Sequence, residues 1–176
     1  MSVGNVTQGV LLNDTKLTLV LGNNLDLGGD GSRNGTGKTT LVNALSYGLY
    51  GLPLTNIKRD NLINKTNGKH MLVTIDFILN RRHYRIERGR KPNIFKFYVN
   101  DVDKTNETDE GQGEGKLTQI QIDKLLGMSH NMFKHIMALN TYTEPFLSLK
   151  QNDQRNLIEE LLGITLLSEK ASLLKE

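Results

Sequence analysis

A glycine-rich segment that leads into a lysine and two threonines constrains the fold of this chain more than any other feature. The segment runs from Ser32 to Thr40 and reads SRNGTGKTT. It follows the phosphate-loop pattern G-x-x-x-x-G-K-[ST], in which small residues let backbone N–H groups surround phosphate oxygens. The lysine reaches the terminal phosphates, and the hydroxyl after it binds Mg²⁺. We therefore predict that Lys38 is catalytic, that Thr39 is a Mg²⁺ ligand, and that these residues bind the nucleotide: Asn34, Gly35, Thr36, Gly37, Lys38, Thr39 and Thr40.

The segment departs from the strict pattern at one position. Ser32 occupies a place where the pattern has glycine, and Gly31 lies one residue too early. The surroundings nevertheless fit, because the apolar run Leu17–Leu21 before the loop predicts a buried parallel strand. After the loop, helical spacing predicts an amphipathic helix through Leu41, Val42, Leu45 and Leu49. This strand–loop–helix context favours a true phosphate loop over a glycine-rich surface turn that happens to precede a lysine.

Composition excludes several classes of protein and site. A chain of 176 residues is long enough to bury the core of one domain. Cysteine is absent, which excludes disulfides and cysteine-ligated metals, and the four histidines lack the spacing of a zinc site. No apolar run is long enough to cross a membrane, and the N-terminus does not resemble a signal peptide. We expect a cytoplasmic protein with no membrane partner.

Charge is spread unevenly along the chain, although the net charge is only +3. One region concentrates basic residues: Arg81, Arg82, Arg85, Arg88, Arg90 and Lys91. The segment 101–114 that follows is acidic. The basic group can contact DNA phosphates without base-specific readout. The alternative, and the commoner origin of such runs, is an ordinary solvated hairpin.

Alternating apolar residues predict β-structure in two parts of the chain. Val10–Leu12 and Leu17–Leu21 read as two strands joined by a turn. A β-meander is predicted over residues 71–99, with strands at 71–79, 82–88 and 94–99. Because polar and apolar residues alternate in it, one face of this sheet is expected to be wet.

The region 117–163 is predicted to be helical. Gly127 ends a first helix as a C-cap, and Ser129 can cap a second that runs through Met137. Asn152 or Asp153 can cap a third helix.

The domain organisation follows from a change of pattern near Gly163. Beyond this residue, leucines recur close to heptad spacing, which predicts that 164–176 is the start of a coiled coil. We therefore predict one lobe over residues 1–163, containing the phosphate loop 32–40, the meander and the helical region, followed by the coiled coil.

A second acidic site, which nucleotide hydrolases of this kind require, is missing. Usually an apolar strand ends in an aspartate that orients Mg²⁺, often with a glutamate next to it as base for water. The only candidate is Asp76, but Phe77 follows it and the apolar run continues. Asp76 is better interpreted as a solvent-side strand residue, since it fits the alternation. The chain therefore contains half of an ATP site.

A phosphate loop, an antiparallel β-region and helices that run into a coiled coil resemble the N-terminal lobe of SMC-like DNA double-strand-break repair ATPases. These include the bacterial SbcC proteins and the ATPase subunits of tailed-phage recombination endonucleases. The resemblance covers nearly the whole chain. It is carried by residues 1–4, 34–40, 47–53, 62–64, 88–93, 126–129 and 155–162.

The resemblance implies an α/β fold, the N-terminal lobe of an ABC/SMC-type P-loop ATPase head, with ATP and Mg²⁺ as cofactors. It implies three kinds of protein partner: a C-terminal lobe with the signature motif and the acidic pair, a second head in a homodimer, and a nuclease subunit. DNA is the expected polymer partner, and the host-cell cytoplasm is the expected location if a phage encodes the chain. Relatives place a Mg²⁺-sensing glutamine near the end of this lobe, where Asn140 is the corresponding candidate.

Two other functions remain open from the residues alone. One is a complete small kinase or GTPase, which would need an acidic Mg²⁺ partner within the chain. The other is a non-catalytic DNA-binding or coiled-coil module with a vestigial loop, against which the intact pair Lys38 and Thr39 argues.

Overall fold

The computed structural model describes residues 7–13, 17–22, 36–55, 57–106, 115–139 and 144–164. Several predicted features lie outside these ranges: the first half of the phosphate loop, Asn140, and the coiled coil beyond Ile164. Backbone contacts divide the chain into two compact units, residues 1–118 and 119–176. Among the described residues, no helix combines the length and the apolar character that a membrane span requires.

The first helix, α1, spans Lys38–Tyr50 and confirms the prediction of a helix directly after the phosphate loop. Gly37 precedes it with φ 84°, a left-handed conformation that glycine adopts without steric cost. Gly51 ends it with φ 69°, and its N–H donates to the carbonyl of Tyr47 at 2.7 Å. The helix is thus bounded by two glycines in the left-handed conformation, which favours this residue.

A four-stranded antiparallel sheet follows, with strand order β1-β2-β3-β4. Its strands are β1 Met71–Leu79, β2 Arg82–Arg90, β3 Ile94–Val99 and the short β4 Val102–Asp103. The predicted meander is confirmed, with β2 two residues longer than expected. Two tight turns use non-glycine residues with positive φ, namely Asn80 and Arg81 at 50° and 62°, and Asn100 and Asp101 at 48° and 63°. Positive φ at both central positions is the geometry of two-residue hairpin loops.

The core of the first unit lies where α1 packs on one face of this sheet. Ile86 of β2 is fully buried and lies between Ile75 of β1 and Phe97 of β3 in the strand register. The buried ring of Tyr84 stacks on Phe97 with the ring centroids 6.1 Å apart. A β-carbon at Gly48 would collide with the side chain of Ile75. The missing side chain therefore lets α1 approach β1 closely, which fixes the position of the helix on the sheet.

The two strands predicted near the N-terminus are not observed. Val10–Leu12 and Leu17–Leu21 have no strand structure, and Leu17 is 100% exposed. A parallel strand is stable only with hydrogen-bonded neighbours, because its backbone groups have no partners within their own segment. The sheet in the described part of the chain consists of consecutive hairpins, and neither segment belongs to it. An apolar, β-rich run was therefore not sufficient to predict a strand.

The helical region of the second unit agrees with the prediction at most helix ends. Helix α2, Lys116–Leu126, begins just before the unit boundary and is followed by Gly127, whose φ is 63°. The Ser129 side chain accepts a hydrogen bond from the N–H of Met132 at 3.1 Å, as a helix N-cap does. This cap starts α3, His130–Met132, which continues as a π-helical turn, Phe133–Met137.

Helix α4, Gln151–Leu161, begins slightly earlier than predicted. Lys150 precedes it and makes no side-chain cap. The expected cap, Asn152 or Asp153, already lies in the first turn. Gln154 instead supports the entry to the helix, since its amide nitrogen donates to the carbonyls of Phe146 and Leu149, each at 3.0 Å.

Glu160 of α4 holds the start of α3. One carboxylate oxygen accepts from the backbone N–H of Ser129 at 2.6 Å, and the other accepts from its hydroxyl at 2.7 Å. This arrangement joins the two helices through a single charged, partly buried group. Hydrogen bonds to charged groups contribute more than neutral ones, about 1.5–3 kcal/mol each.

We expect Glu160→Gln to lower the free energy of unfolding of the second unit by about 1–3 kcal/mol, because the amide leaves one serine donor unpaired. Urea unfolding followed by hydrogen exchange of α3 measures this change. The matched control is Glu159→Gln, which removes only the exposed pair with Arg155 at 2.7 Å, a pair worth about 0.5 kcal/mol. Equal effects of the two substitutions would contradict the role assigned to Glu160.

Candidate nucleotide-binding site

The described half of the phosphate loop, Thr36 to Thr40, leads directly into α1. The carbonyl of Gly37 accepts from the N–H groups of Thr40 at 2.9 Å and Leu41 at 3.3 Å, which forms the first turn. The Lys38 ammonium donates to the hydroxyl of Thr36 at 3.2 Å, so this side chain folds back over the loop. The cation thus lies at the positive end of the helix dipole, where N–H groups and dipole together favour a phosphate.

The residues present fit a Mg²⁺–nucleotide. No acidic residue lies in the first turn of α1, where a carboxylate would repel phosphate. Lys38 and Thr39 are both exposed and supply a cation and a hydroxyl. Gly22 lies so close to Thr36 that a β-carbon there would collide with the threonine side chain. The end of the N-terminal apolar run therefore lies beside the loop, as the strand–loop–helix prediction required, although the run itself is not a strand.

Not all predicted site residues can be compared with the structure. Asn34, Gly35 and Asn140 lie outside the described ranges. Within those ranges, no group of three or more His, Cys, Asp and Glu side chains could hold a metal ion.

Asp76 lies on the exposed face of β1, away from the phosphate loop helix. Its carboxylate accepts from Arg85 at 2.7 Å and lies 3.2 Å from the Nε2 of His83. The hydrogen bond and the charge of Asp76 raise the pKa of the Arg85 guanidinium. The interpretation of Asp76 as a solvent-side strand residue is confirmed.

Two buried polar residues on α1 were not predicted. Asn43 donates through Nδ2 to the carbonyl of Thr39 at 3.0 Å and accepts from the N–H of Leu54, also at 3.0 Å. Ser46 donates to the carbonyl of Leu52 at 2.7 Å. These hydrogen bonds hold the segment 52–54, which follows the helix, against α1. The available signal was that both residues interrupt the apolar spacing, and a polar residue there needs a partner once it is buried.

Three of the basic residues predicted to contact DNA form contacts within the first unit. Arg85 pairs with Asp76, and Arg90 donates through Nε to Asp60 at 3.1 Å. Arg88 donates to the carbonyl of Gly48 at 3.2 Å. Its guanidinium also lies 3.8 Å from the centre of the Phe95 ring, within the range of a cation–π interaction.

Two of these arginines, Arg88 and Arg90, lie near the C-terminal half of α1. Burial raises the pKa of the Tyr47 phenol, against the opposing charges of Arg88, Arg90 and Arg59. The hydrogen bond from Arg90, followed by its charge, lowers the pKa of Asp60. Arg88 places a positive charge at the C-terminal end of α1, where the helix dipole favours cations. These contacts attach the nucleotide-site helix to the meander.

The other three predicted DNA contacts, Arg81, Arg82 and Lys91, are exposed. Arg81 and Arg82 lie at the β1–β2 turn, whereas Lys91 lies at the β2–β3 turn, at the opposite end of β2. At about 3.3 Å per residue, the two ends are separated by roughly 25–30 Å. The basic residues are therefore contiguous in sequence but do not form one patch.

Comparison with known proteins identifies the family. A family model described as "AAA domain" matches residues 4–176. The chain is 37% identical over 171 residues to "Exonuclease subunit 2" of Enterobacteria phage T4, covering 96% of this chain and 28% of that protein. It is 35% identical to the protein of the same name from Escherichia phage RB69, with the same coverage. The chain therefore spans little more than a quarter of the length of these relatives. With the phosphate loop at the start of α1, these matches confirm the resemblance stated above, and the chain belongs to the AAA domain family, among its SMC-like, SbcC-type ATPases.

Proposed function

We propose that this chain is the ATP-binding half of an SMC-like ATPase head that acts with a nuclease in processing DNA double-strand breaks. The observation that carries the proposal is the arrangement of Gly37, Lys38 and Thr39 at the start of α1, while Asp76, the acidic candidate from the sequence, lies on the exposed face of β1 and pairs with Arg85. Half a site of this kind binds nucleotide but lacks the group that activates water.

The proposed roles of the residues follow from their chemistry. Lys38 neutralises charge on the terminal phosphates, and the Thr39 hydroxyl is a Mg²⁺ ligand, with Asn140 as a second candidate ligand. Bound Mg²⁺ would offset the negative charge that develops on the phosphate oxygens. The acidic pair and the signature motif would come from a C-terminal lobe and from a second head in a homodimer.

A nuclease subunit is the proposed protein partner. The phage T4 and RB69 relatives are each named "Exonuclease subunit 2", which describes those proteins as one part of an exonuclease. Since these relatives are phage proteins, the proposed place of action is the cytoplasm of the host cell.

DNA contact through backbone phosphates is proposed for the basic residues of the meander. The exposed residues Arg81, Arg82 and Lys91 are the better candidates, because Arg85, Arg88 and Arg90 already have partners within the first unit. Contacts at the two separated ends of β2 would suit an extended backbone rather than a single phosphate.

Co-expression of the complete reading frame with its nuclease subunit tests the proposal. We expect ATP and Mg²⁺ together to increase degradation of linear double-stranded DNA, and a non-hydrolysable ATP analogue to prevent repeated cleavage. Nuclease activity that is identical with and without ATP would overturn the proposed function. Phosphoryl transfer to a small acceptor would instead favour a kinase, and failure to bind Mg²⁺–ATP would favour a non-catalytic module.

A further inference from the structure

We infer that Asn43 is a positioning residue for the Mg²⁺ ligand of the nucleotide site. This inference rests on the proposed function and concerns how strongly the site depends on Mg²⁺. The carboxamide of Asn43 joins two backbone positions: the carbonyl of Thr39 in the first turn of α1 and the N–H of Leu54 beyond the end of the helix. Both hydrogen bonds are 3.0 Å long.

The chemistry of the two partners fixes the orientation of the Asn43 side chain. The Leu54 N–H is a donor, so the atom that faces it must be the carboxamide oxygen. The Thr39 carbonyl is an acceptor, so the atom that faces it must be the nitrogen. Aspartate at this position would still accept the hydrogen bond from the Leu54 N–H, but it would place a carboxylate oxygen against the Thr39 carbonyl. An apolar residue of similar size would leave the Leu54 donor unpaired.

Burial makes this connection rigid. Asn43 is 1% exposed and Leu54 is 4% exposed, so water does not compete for either hydrogen bond. A buried polar group without a partner is costly, which favours this arrangement over any alternative. The segment 52–54 is also tied to the helix by Ser46, through the carbonyl of Leu52 at 2.7 Å. The segment 52–54 therefore holds the Asn43 side chain in one orientation.

Asn43 affects the Mg²⁺ site through its hydrogen bond to the backbone of Thr39. Threonine is β-branched, so its hydroxyl has few rotamers available relative to its own backbone. A shift of the Thr39 peptide therefore moves the hydroxyl with it. Lys38 reaches the phosphates through a long, flexible side chain and tolerates the same shift. Loss of the Asn43 contacts should consequently weaken Mg²⁺ binding more than it weakens nucleotide binding without the metal.

The test compares two variants of the protein expressed from its complete reading frame. Asn43→Asp removes the hydrogen bond to Thr39. Ser46→Ala is the matched control, since it removes the other buried hydrogen bond to the same segment without touching Thr39. Binding of a fluorescent ATP analogue is titrated with Mg²⁺ and repeated in EDTA, and thermal unfolding of each variant is recorded.

We expect Asn43→Asp to raise the Mg²⁺ concentration for half-maximal binding by about 10-fold or more, the usual effect of removing a group that orients a metal ligand. Affinity in EDTA should change by less than about 3-fold, because the phosphate contacts remain. Ser46→Ala should lower thermal stability and leave Mg²⁺ dependence within about 2-fold. Equal losses with and without Mg²⁺, or equal Mg²⁺ shifts in both variants, would show that Asn43 is merely structural.

A second variant keeps the inference testable if Asn43→Asp does not fold. In Asn43→Ser, the hydroxyl can bond back to the Thr39 carbonyl four residues earlier but is too short to reach Leu54 as well. We expect a Mg²⁺-selective loss in the same direction, and an unchanged Mg²⁺ dependence would overturn the inference. If the unsubstituted protein binds ATP equally well with Mg²⁺ and in EDTA, or does not bind ATP at all, the proposed function itself fails.

Discussion

We expect Lys38→Ala to lower the affinity for Mg²⁺–ATP by about 10- to 150-fold, the equivalent of a charged hydrogen bond worth roughly 1.5–3 kcal/mol. Lys38 lies at the start of α1, where the helix dipole and its ammonium group act on the same phosphates. The side chain is exposed, and its hydrogen bond to the Thr36 hydroxyl is local. Its removal should therefore spare the fold, and turnover by the complete protein should be abolished.

Isothermal titration with Mg²⁺–ATP measures the effect of Lys38→Ala. Lys65→Ala is a matched control, because it removes the same charge from an exposed loop of the same unit. The control should bind ATP like the unsubstituted protein. An affinity for Lys38→Ala within about 3-fold of that protein would contradict the assignment of this lysine, since it would correspond to less than about 0.7 kcal/mol.

We expect Ile86→Ala to reduce the free energy of unfolding of the first unit by about 3–4 kcal/mol. Ile86 is 0% exposed and occupies the centre of the sheet, between Ile75 and Phe97 in the register. Truncation removes buried apolar surface and leaves a cavity that neighbouring strands cannot close, since their hydrogen bonds fix the spacing.

Hydrogen exchange of β2 amides across a urea series measures this loss. Ile78→Ala is the control, because Ile78 lies on the outer face of β1 and is 75% exposed. Its effect should stay below about 1 kcal/mol, the span of β-propensity differences. Similar losses for both substitutions would mean that the face of the sheet that contains Ile86 does not form the core.

The meander could be predicted from the sequence because its determinants are local. Tyr84 and Ile86 alternate with polar residues, and Asn80–Arg81 supplies the turn. The added strand β4 consists of only two residues, Val102 and Asp103, at the start of an acidic segment. So short a strand leaves no alternation to detect, and its pairing depends on β3.

The prediction of two N-terminal strands was wrong, because strand formation depends on pairing partners that are remote in sequence. Leu17–Leu21 has the composition of a buried strand, but composition does not supply a neighbour to pair with. The same limitation affected the arginines. The pairing of Asp76 with Arg85 follows from a strand register, and that of Asp60 with Arg90 spans 30 residues. Neither contact is visible in a charge run.

In the candidate site, too, residues that belong to a local pattern were predicted and a residue that depends on a distant partner was not. Lys38 and Thr39 were predicted because the phosphate-loop pattern assigns a role to each position. Asn43 was missed because its role depends on Leu54, which lies 11 residues away and is brought back by the segment after α1. A buried amide within an apolar helix pattern indicates that a partner exists, but it does not identify the partner.

We propose that this chain binds ATP but does not hydrolyse it alone. The most direct measurement is the rate of ATP hydrolysis by the 176-residue chain and by the product of its complete reading frame, each with and without Lys38→Ala. We predict Mg²⁺-dependent binding but no turnover for the chain alone, and Lys38-dependent turnover once the C-terminal lobe is present. Robust turnover by the chain alone, lost on Lys38→Ala, would contradict this account.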